Sequence, residues 1–232
     1  EYAEQGYIAA LDELPGGKEL IEKRKDYLIE EKQTYKGKTY SIPFATTLYG
    51  LIYNKDMFKE AGIVDANGEP TPPKTLKELR EYAKKLTNPK AGQYGMIMPL
   101  KWGGMFGTDL MSLALSASGS DGYDFKTGKY DYSCYKDALQ TILDIKKDGS
   151  FMPGSEGMDN DPARSRFAEG KIGMKISASW DVGVLNEQFP AKCDWGVAML
   201  PSVDENTKYY QKANANTGYK ISADAIKNIG AE

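Results

Sequence analysis

The chain has 232 residues, 41% hydrophobic and 27% charged, with a formal net charge of −3, which allows a sizeable core in one or two domains and gives no electrostatic reason to expect nucleic acid or an acidic membrane surface. Histidine is absent, which excludes Ser-His-Asp and Cys-His nucleophile systems and histidine-rich zinc sites. The two cysteines, Cys134 and Cys193, lack C-x-x-C spacing, which excludes a zinc ribbon or a thioredoxin-like motif, and they read as free, buried thiols.

In chain order, "EYAEQGYIAALDEL" reads as helical, and residues 18–34 as a polar helix whose charges form a solvated face. "KGKTYSIPF" (36–44) reads as a short strand ended by Pro43, "TLYGLIYN" (47–54) as a strand, and "KDMFKEAGI" (55–63) as a helical turn or two closed by Gly62. Tyr53 and Asn54 at that junction suit packing and capping. Thr75 and Glu78 form a capping box before the helical period Leu76, Leu79, Ala83, Leu86. "GMIMPLKWGGMFG" (95–107) carries a buried strand and then a loop, and 108–117 an apolar helix. Ser133 is the expected N-cap of a helix with Leu139, Ile142 and Ile145 inward, and Asp161 the N-cap of another with Pro162 at its first position. The D-x-D of Asp159 and Asp161 lacks the rest of a calcium loop. Residues 171–176 alternate Ile172, Met174 and Ile176 with Lys171, Gly173 and Lys175, the pattern of a half-buried strand. "DWGVAMLP" (194–201) and "GYKIS" (218–222) are further strands, and "SADAIKNIGAE" starts a helix. This alternation argues an α/β fold. No apolar run is long enough to span a bilayer and no signal peptide is visible; both ends read as cut from a longer protein.

Trp180 stands just past the 171–176 strand, after Ser177, Ala178 and Ser179 and before Asp181. It reads either as a core ring closing the strand end or as a platform for a ligand. Residue type alone favours the core ring; small residues before it and an acceptor beside it speak for the platform, a flat apolar face with a hydrogen-bonding edge. Trp102, between Lys101 and Gly103-Gly104, reads equally as a lid over the core or as a second platform, with Phe106 nearby. Tyr49, alternating with Leu48, is a candidate second ring, and Tyr219 a candidate in a polar loop.

"GKTYSIPF", "LIYNKDMFKEAGI", "PPKTLKELREYAKKLT", "FAEGKIGMKISASWD" and "WGVAMLPS" occur in register along nearly the whole chain. Together they resemble the sugar-type extracellular solute-binding proteins of ABC importers, the maltose-binding-protein-like group. That resemblance implies a two-lobed type II periplasmic-binding-protein fold with the solute in an interlobe cleft. Residues 1–46 would be the tail of the first lobe, 47–199 the second lobe and 200–232 the return into the first. The family's opening βαβ portion and closing helices are missing from this sequence. The matching positions place Trp180 at the sugar site, the Trp102 loop along the cleft, and Thr46 and Thr47 where the chain passes between lobes. The implied function is capture of a sugar or oligosaccharide and its delivery to the permease subunits of the importer, outside the cytoplasm, in the periplasm or as a membrane-anchored lipoprotein. Neither catalysis nor a cofactor or metal is implied. Two alternatives stay open. A glycoside-processing enzyme would need a pair of placed carboxyl groups, and no motif supplies one. The same clamp could carry ferric ion through some of the 16 tyrosines, which are scattered.

Overall fold

A computed structural model describes residues 2–120, 122–124, 127–207, 212–214 and 218–229. The chain divides into two compact units, Glu1–Thr47 with Ala213–Glu232, and Leu48–Lys212.

The larger unit is built on a twisted sheet whose strands we number β1 (Thr47–Asn54), β2 (Tyr94–Ile97), β3 (Ile172–Ala178) and β4 (Trp195–Ala198). β1 runs antiparallel to β3, with Leu51 opposite Ile176, and antiparallel to β4 on its other side, with Leu51 opposite Ala198. β2 lies parallel to β3, with Met96 opposite Met174. Helices cover both faces. One face packs Leu51, Tyr53, Met96, Met174 and Ile176 against Leu79 and Ala83 of α1 (Leu76–Lys85), Leu113 of α2 (Met111–Ser118) and Ile145 of α3 (Lys136–Lys147). The other packs Ile52 and Ile97 against Ala163 and Phe167 of α4 (Asn160–Ala168) and against Leu185. Successive side chains of a strand point to opposite faces, so a sheet covered twice buries both sets. This corrects the half-buried reading of β3: every residue from Ile172 to Ala178 is buried, Lys175 included.

Several boundaries were set by local chemistry. Asn54 caps the short helix Lys55–Glu60 by accepting from Met57 N, and the Thr75–Glu78 capping box forms in full. Ser133 is not the cap of α3. Asp131 accepts from Ser133 N, and a 3-10 turn, Tyr132–Tyr135, leads into the helix. The inward face of α3 then runs through Ala138, Ile142 and Ile145, spaced four and three, which leaves Leu139 on the exposed side. α4 starts ahead of the expected position, with Asp159 at its N-cap, and Asp161 is inside the helix, paired with Arg164 one turn on.

In the smaller unit the expected long polar helix is broken into Gly17–Arg24, a 3-10 turn Lys25–Tyr27, and Glu30–Gln33. Few apolar side chains on that stretch are buried, and exposed pairs such as Lys23–Glu19 support a helix only weakly. The opening segment is not one continuous helix either; it turns at Gly6, whose φ is 72, Ile8 bridges Ser222, and a 3-10 turn follows over Leu11–Glu13. Thr34–Tyr35 and Lys38–Thr39 form a hairpin closed by Lys36 and Gly37, both with positive φ, the twist-matched two-residue turn. Ile42–Pro43 pairs with Gly218–Tyr219, and Ala223–Ile229 is helical.

Candidate functional site

Trp102, Asn160, Asp161, Arg164 and Trp180 line a shallow depression of ≈ 670 Å³ in the larger unit. Trp180 projects from the turn after β3 and is 40% exposed. The loop after β2 carries Trp102, whose indole lies flat on Gly104; a Cβ at that position would overlap the ring, 2.6 Å from Cε2. Asn160 enters from the first turn of α4 with its side-chain oxygen buried and without a hydrogen-bond partner.

Beneath Trp180 lies a cluster of buried charges. Arg164 donates to Asp181 Oδ1 through Nε at 2.7 Å, with Nη2 2.5 Å from the same oxygen in an ion pair, and donates to Asp161 through Nη1 at 2.7 Å. Asp181 Oδ2 accepts from Ser177 Oγ and meets Lys175 Nζ at 3.5 Å, while Lys175 also donates to the Ile176 carbonyl at 3.0 Å. Lys175 and Asp181 are fully buried, so each needs the other: an unpaired ion in that interior would be expensive. Asp109, from the wide turn Phe106–Leu110 that follows the Trp102 loop, joins the field of Lys175 and Asp181. Its Oδ1 accepts from Thr108 Oγ1 at 3.0 Å and its Oδ2 has no hydrogen-bond partner. Burial pushes its carboxyl up to about 6, with Lys175 and Thr108 pulling the other way.

The structure therefore sorts the residues singled out in the sequence. It brings Trp102 and Trp180 together in one depression. Asp181 is not an acceptor at the ligand edge, because Arg164, Ser177 and Lys175 take up its carboxylate below the surface. Tyr49 is not a second exposed ring. It is buried, stands edge-on to Trp180 with ring centroids 5.5 Å apart, and carries Lys212 Nζ over its own face at 5.0 Å. Lys101 is exposed beside Trp102, and Phe106 follows one turn later, stacked on Tyr135. Thr47 opens β1, partly buried. Thr46 and Tyr219 belong to the smaller unit, where both line an apolar cavity of ≈ 610 Å³ with Leu11 and Ile42. Cys134 and Cys193 are half-buried; Cys134 Sγ donates to the Asp131 carbonyl, and burial pushes the Cys193 thiol up to about 11.

Sequence reasoning missed Arg164, Lys175, Asn160 and Asp109. Lys175 left one signal: a lysine in a strand whose following residues, Ser177 to Ser179, are too small for a solvent-facing amphipathic pattern. Asp109 left none.

The family model described as bacterial extracellular solute-binding protein matches residues 1–224. The chain belongs to that family. Among relatives of this solute-binding protein, a maltotriose-binding protein of Pyrococcus abyssi is 27% identical over 212 residues, which are 90% of this chain and 41% of the relative. An sn-glycerol-3-phosphate-binding periplasmic protein, UgpB, of Agrobacterium fabrum is 30% identical over 169 residues, 71% of this chain and 36% of the relative. A solved structure from work on xylan utilization by Caldanaerobius polysaccharolyticus superposes with a TM-score of 0.75 at 23% identity, covering 99% of this chain and 58% of that one. The chain thus spans about half the length, or less, of the proteins it matches. The mixed α/β fold is that of solute-binding proteins, and its place is extracytoplasmic. No helix among the described residues is long and apolar enough to cross a membrane.

Proposed function

We propose that this solute-binding protein captures a neutral sugar or oligosaccharide on the Trp102–Trp180 depression and delivers it to the permease of an ABC importer. The unit Leu48–Lys212 takes the part of the second lobe, and the smaller unit part of the first. The observation that carries this reading is the pairing of two accessible indoles with hydrogen-bonding groups in one depression. A pyranose presents C–H groups on its face and hydroxyls at its edge, and indoles beside Asn160 and the exposed carboxylate of Asp161 answer both. A micromolar affinity needs only about 8 kcal/mol net.

Neutrality of the ligand follows from the charges. Arg164, the cation lining the depression, is already matched by Asp161 and Asp181, so a phosphate would find an engaged guanidinium rather than an open one. The same pairing supports binding without catalysis: a glycosidase needs two carboxyl groups across the scissile bond, and of the two that line the depression, Asp159 and Asp161, the second is already held by Arg164.

Calorimetric titration of maltotriose, raffinose, mannitol and glycerol 3-phosphate tests the reading. Saturable heat with a neutral sugar is expected, weakened at least about tenfold in Trp180→Ala, the loss of roughly 1.4 kcal/mol of stacking. A response to glycerol 3-phosphate alone, or an unchanged affinity in Trp180→Ala, would overturn it.

A further inference from the structure

Trp102 and Trp180 come from separate stretches of chain, and one side chain touches the supports of both. Lys212 is half-buried and is the last residue of the larger unit. Its Nζ donates to the Gly107 carbonyl, lies 3.2 Å from Met111 Sδ and stands over the face of Tyr49, 5.0 Å from the ring centre. Its carbonyl accepts from Tyr49 N at 3.1 Å. Two of these contacts lead on to a tryptophan. On one side, Gly107 belongs to the wide turn Phe106–Leu110, which is folded back on Gly104: Thr108 donates to the Gly104 carbonyl through N at 2.9 Å and through Oγ1 at 2.7 Å. Gly104 is the residue on which the Trp102 indole lies. On the other side, Tyr49 is set opposite Ala178 in the pairing of β1 with β3, and its ring meets Trp180 at 86°.

An ammonium on a carbonyl makes a charge-assisted hydrogen bond, and an ammonium over an aromatic face is held by the ring quadrupole, more strongly where water is partly excluded. The head group of Lys212 makes both contacts at once, so the Gly107 turn and the Tyr49 ring cannot shift independently. Two rings that share one ligand need a fixed separation, and that precision comes from the groups behind them. We propose that Lys212 is a positioning residue: it ties the turn behind Trp102 to the ring behind Trp180 and so sets the separation at which the two indoles meet one ligand. Lys212 itself does not line the depression. The proposal rests on the carbohydrate reading above. The competing role is plain anchoring of the chain where it leaves the larger unit, which would affect stability and leave affinity alone.

The test is a double-mutant cycle, read by calorimetry with whichever of maltotriose, raffinose and mannitol the unaltered protein binds most tightly. Lys212→Met keeps an unbranched chain beside Met111 and removes the cation; affinity should fall about tenfold. Lys212→Arg keeps a cation and donors over the same ring and should hold affinity within about twofold. In Trp180→Ala, where no second ring is left to be spaced, adding Lys212→Met should cost no more than about twofold. Without sugar, acrylamide should quench the tryptophan fluorescence of Lys212→Met more strongly than that of the parent, and that of Lys212→Arg to the same extent. An affinity of Lys212→Met within about twofold of the parent, a loss that persists in full beside Trp180→Ala, or unchanged quenching overturns the proposal and leaves the carbohydrate reading standing. If none of the three sugars binds the unaltered protein, both fall.

Discussion

Trp180 sits above Asp181, whose carboxylate is gripped by Arg164, Ser177 and Lys175, whereas Trp102 rests its indole on the unadorned backbone of Gly104. The first ring is positioned by buried charge and the second by shape. Ions taken from water cost several kcal/mol each unless their geometry is good, so the cluster is a poor way to gain stability and a strict way to fix one arrangement. A ring lying on glycine costs nothing to desolvate, and only a side chain at that position stands against it. The two halves of one depression should therefore fail differently.

The largest effect is expected at the charged end. Asp181→Ala leaves Arg164 with Asp161 alone and Lys175 without its carboxylate partner, in an interior that excludes water. Breaking a buried pair from one side costs about 3–5 kcal/mol. A urea titration should show the midpoint falling accordingly, with sugar affinity lost as the turn bearing Trp180 loosens. Lys175→Met, which replaces the cation by an unbranched apolar chain of similar length, should cost less, because Asp181 keeps Arg164 and Ser177. If the two variants were equally destabilised, the pairing would not be what holds the turn.

The contrast also shows what was legible before the structure. Trp102 and Trp180 stood out because large flat residues beside glycines or small residues break an amphipathic pattern, and the capping box at Thr75 and Glu78 is a local signal that needs no tertiary partner. Lys175 was misread because alternation of Ile172, Met174 and Ile176 with charged and small residues describes a sheet with one wet face. The second face is covered by α4, and that cover is a long-range fact. Asp181 was misread for the same reason: its partner Arg164 is 17 residues upstream, on a helix whose packing no local pattern reveals. Tyr49 alternates as a strand residue should, but which face is lined by Trp180 depends on the pairing of Tyr49 with Ala178.

Asp109 sharpens the comparison through pH. Burial raises its carboxyl from 3.8 to about 6, so the folded chain holds the proton more tightly than the unfolded one does. That contribution to stability is full below pH 3.8 and is lost as pH rises through about 6, a cost at neutral pH on the order of 2–3 kcal/mol. Asp109→Asn has the shape and no charge to desolvate. It should be more stable than the parent at pH 7.5, and the difference should shrink toward pH 4.5, measured by urea midpoints at both. Asp148 acts with the opposite sign: the hydrogen bond from Arg80 holds it down to about 2, so its contribution is present above 3.8 and fades only as pH falls below that. A difference that stayed constant between the two pH values would separate Asp109 from the titration altogether.

Gly104→Ala should have the smallest effect on stability and still be felt at the site. The backbone of Gly104 is not left-handed, so alanine is conformationally acceptable and by itself gains about 0.4–1 kcal/mol from the unfolded chain. The new methyl would overlap the indole of Trp102, which must lift away from the backbone. In a partly exposed loop the ring has room to do so, and the strain, typically about 1–3 kcal/mol in a tight core, should fall near the bottom of that range. The two contributions nearly cancel, so the urea midpoint should hardly move. If Trp102 is a platform, neutral-sugar affinity should nevertheless drop by about tenfold, since the displaced ring no longer lines the depression as it does beside Trp180. If it is only a lid over the core, lifting it would expose apolar surface and lower stability while leaving affinity unchanged. Midpoint and affinity measured on the same variant therefore decide between the two readings that the sequence left open for Trp102, and they do so without touching the charged cluster that holds its partner.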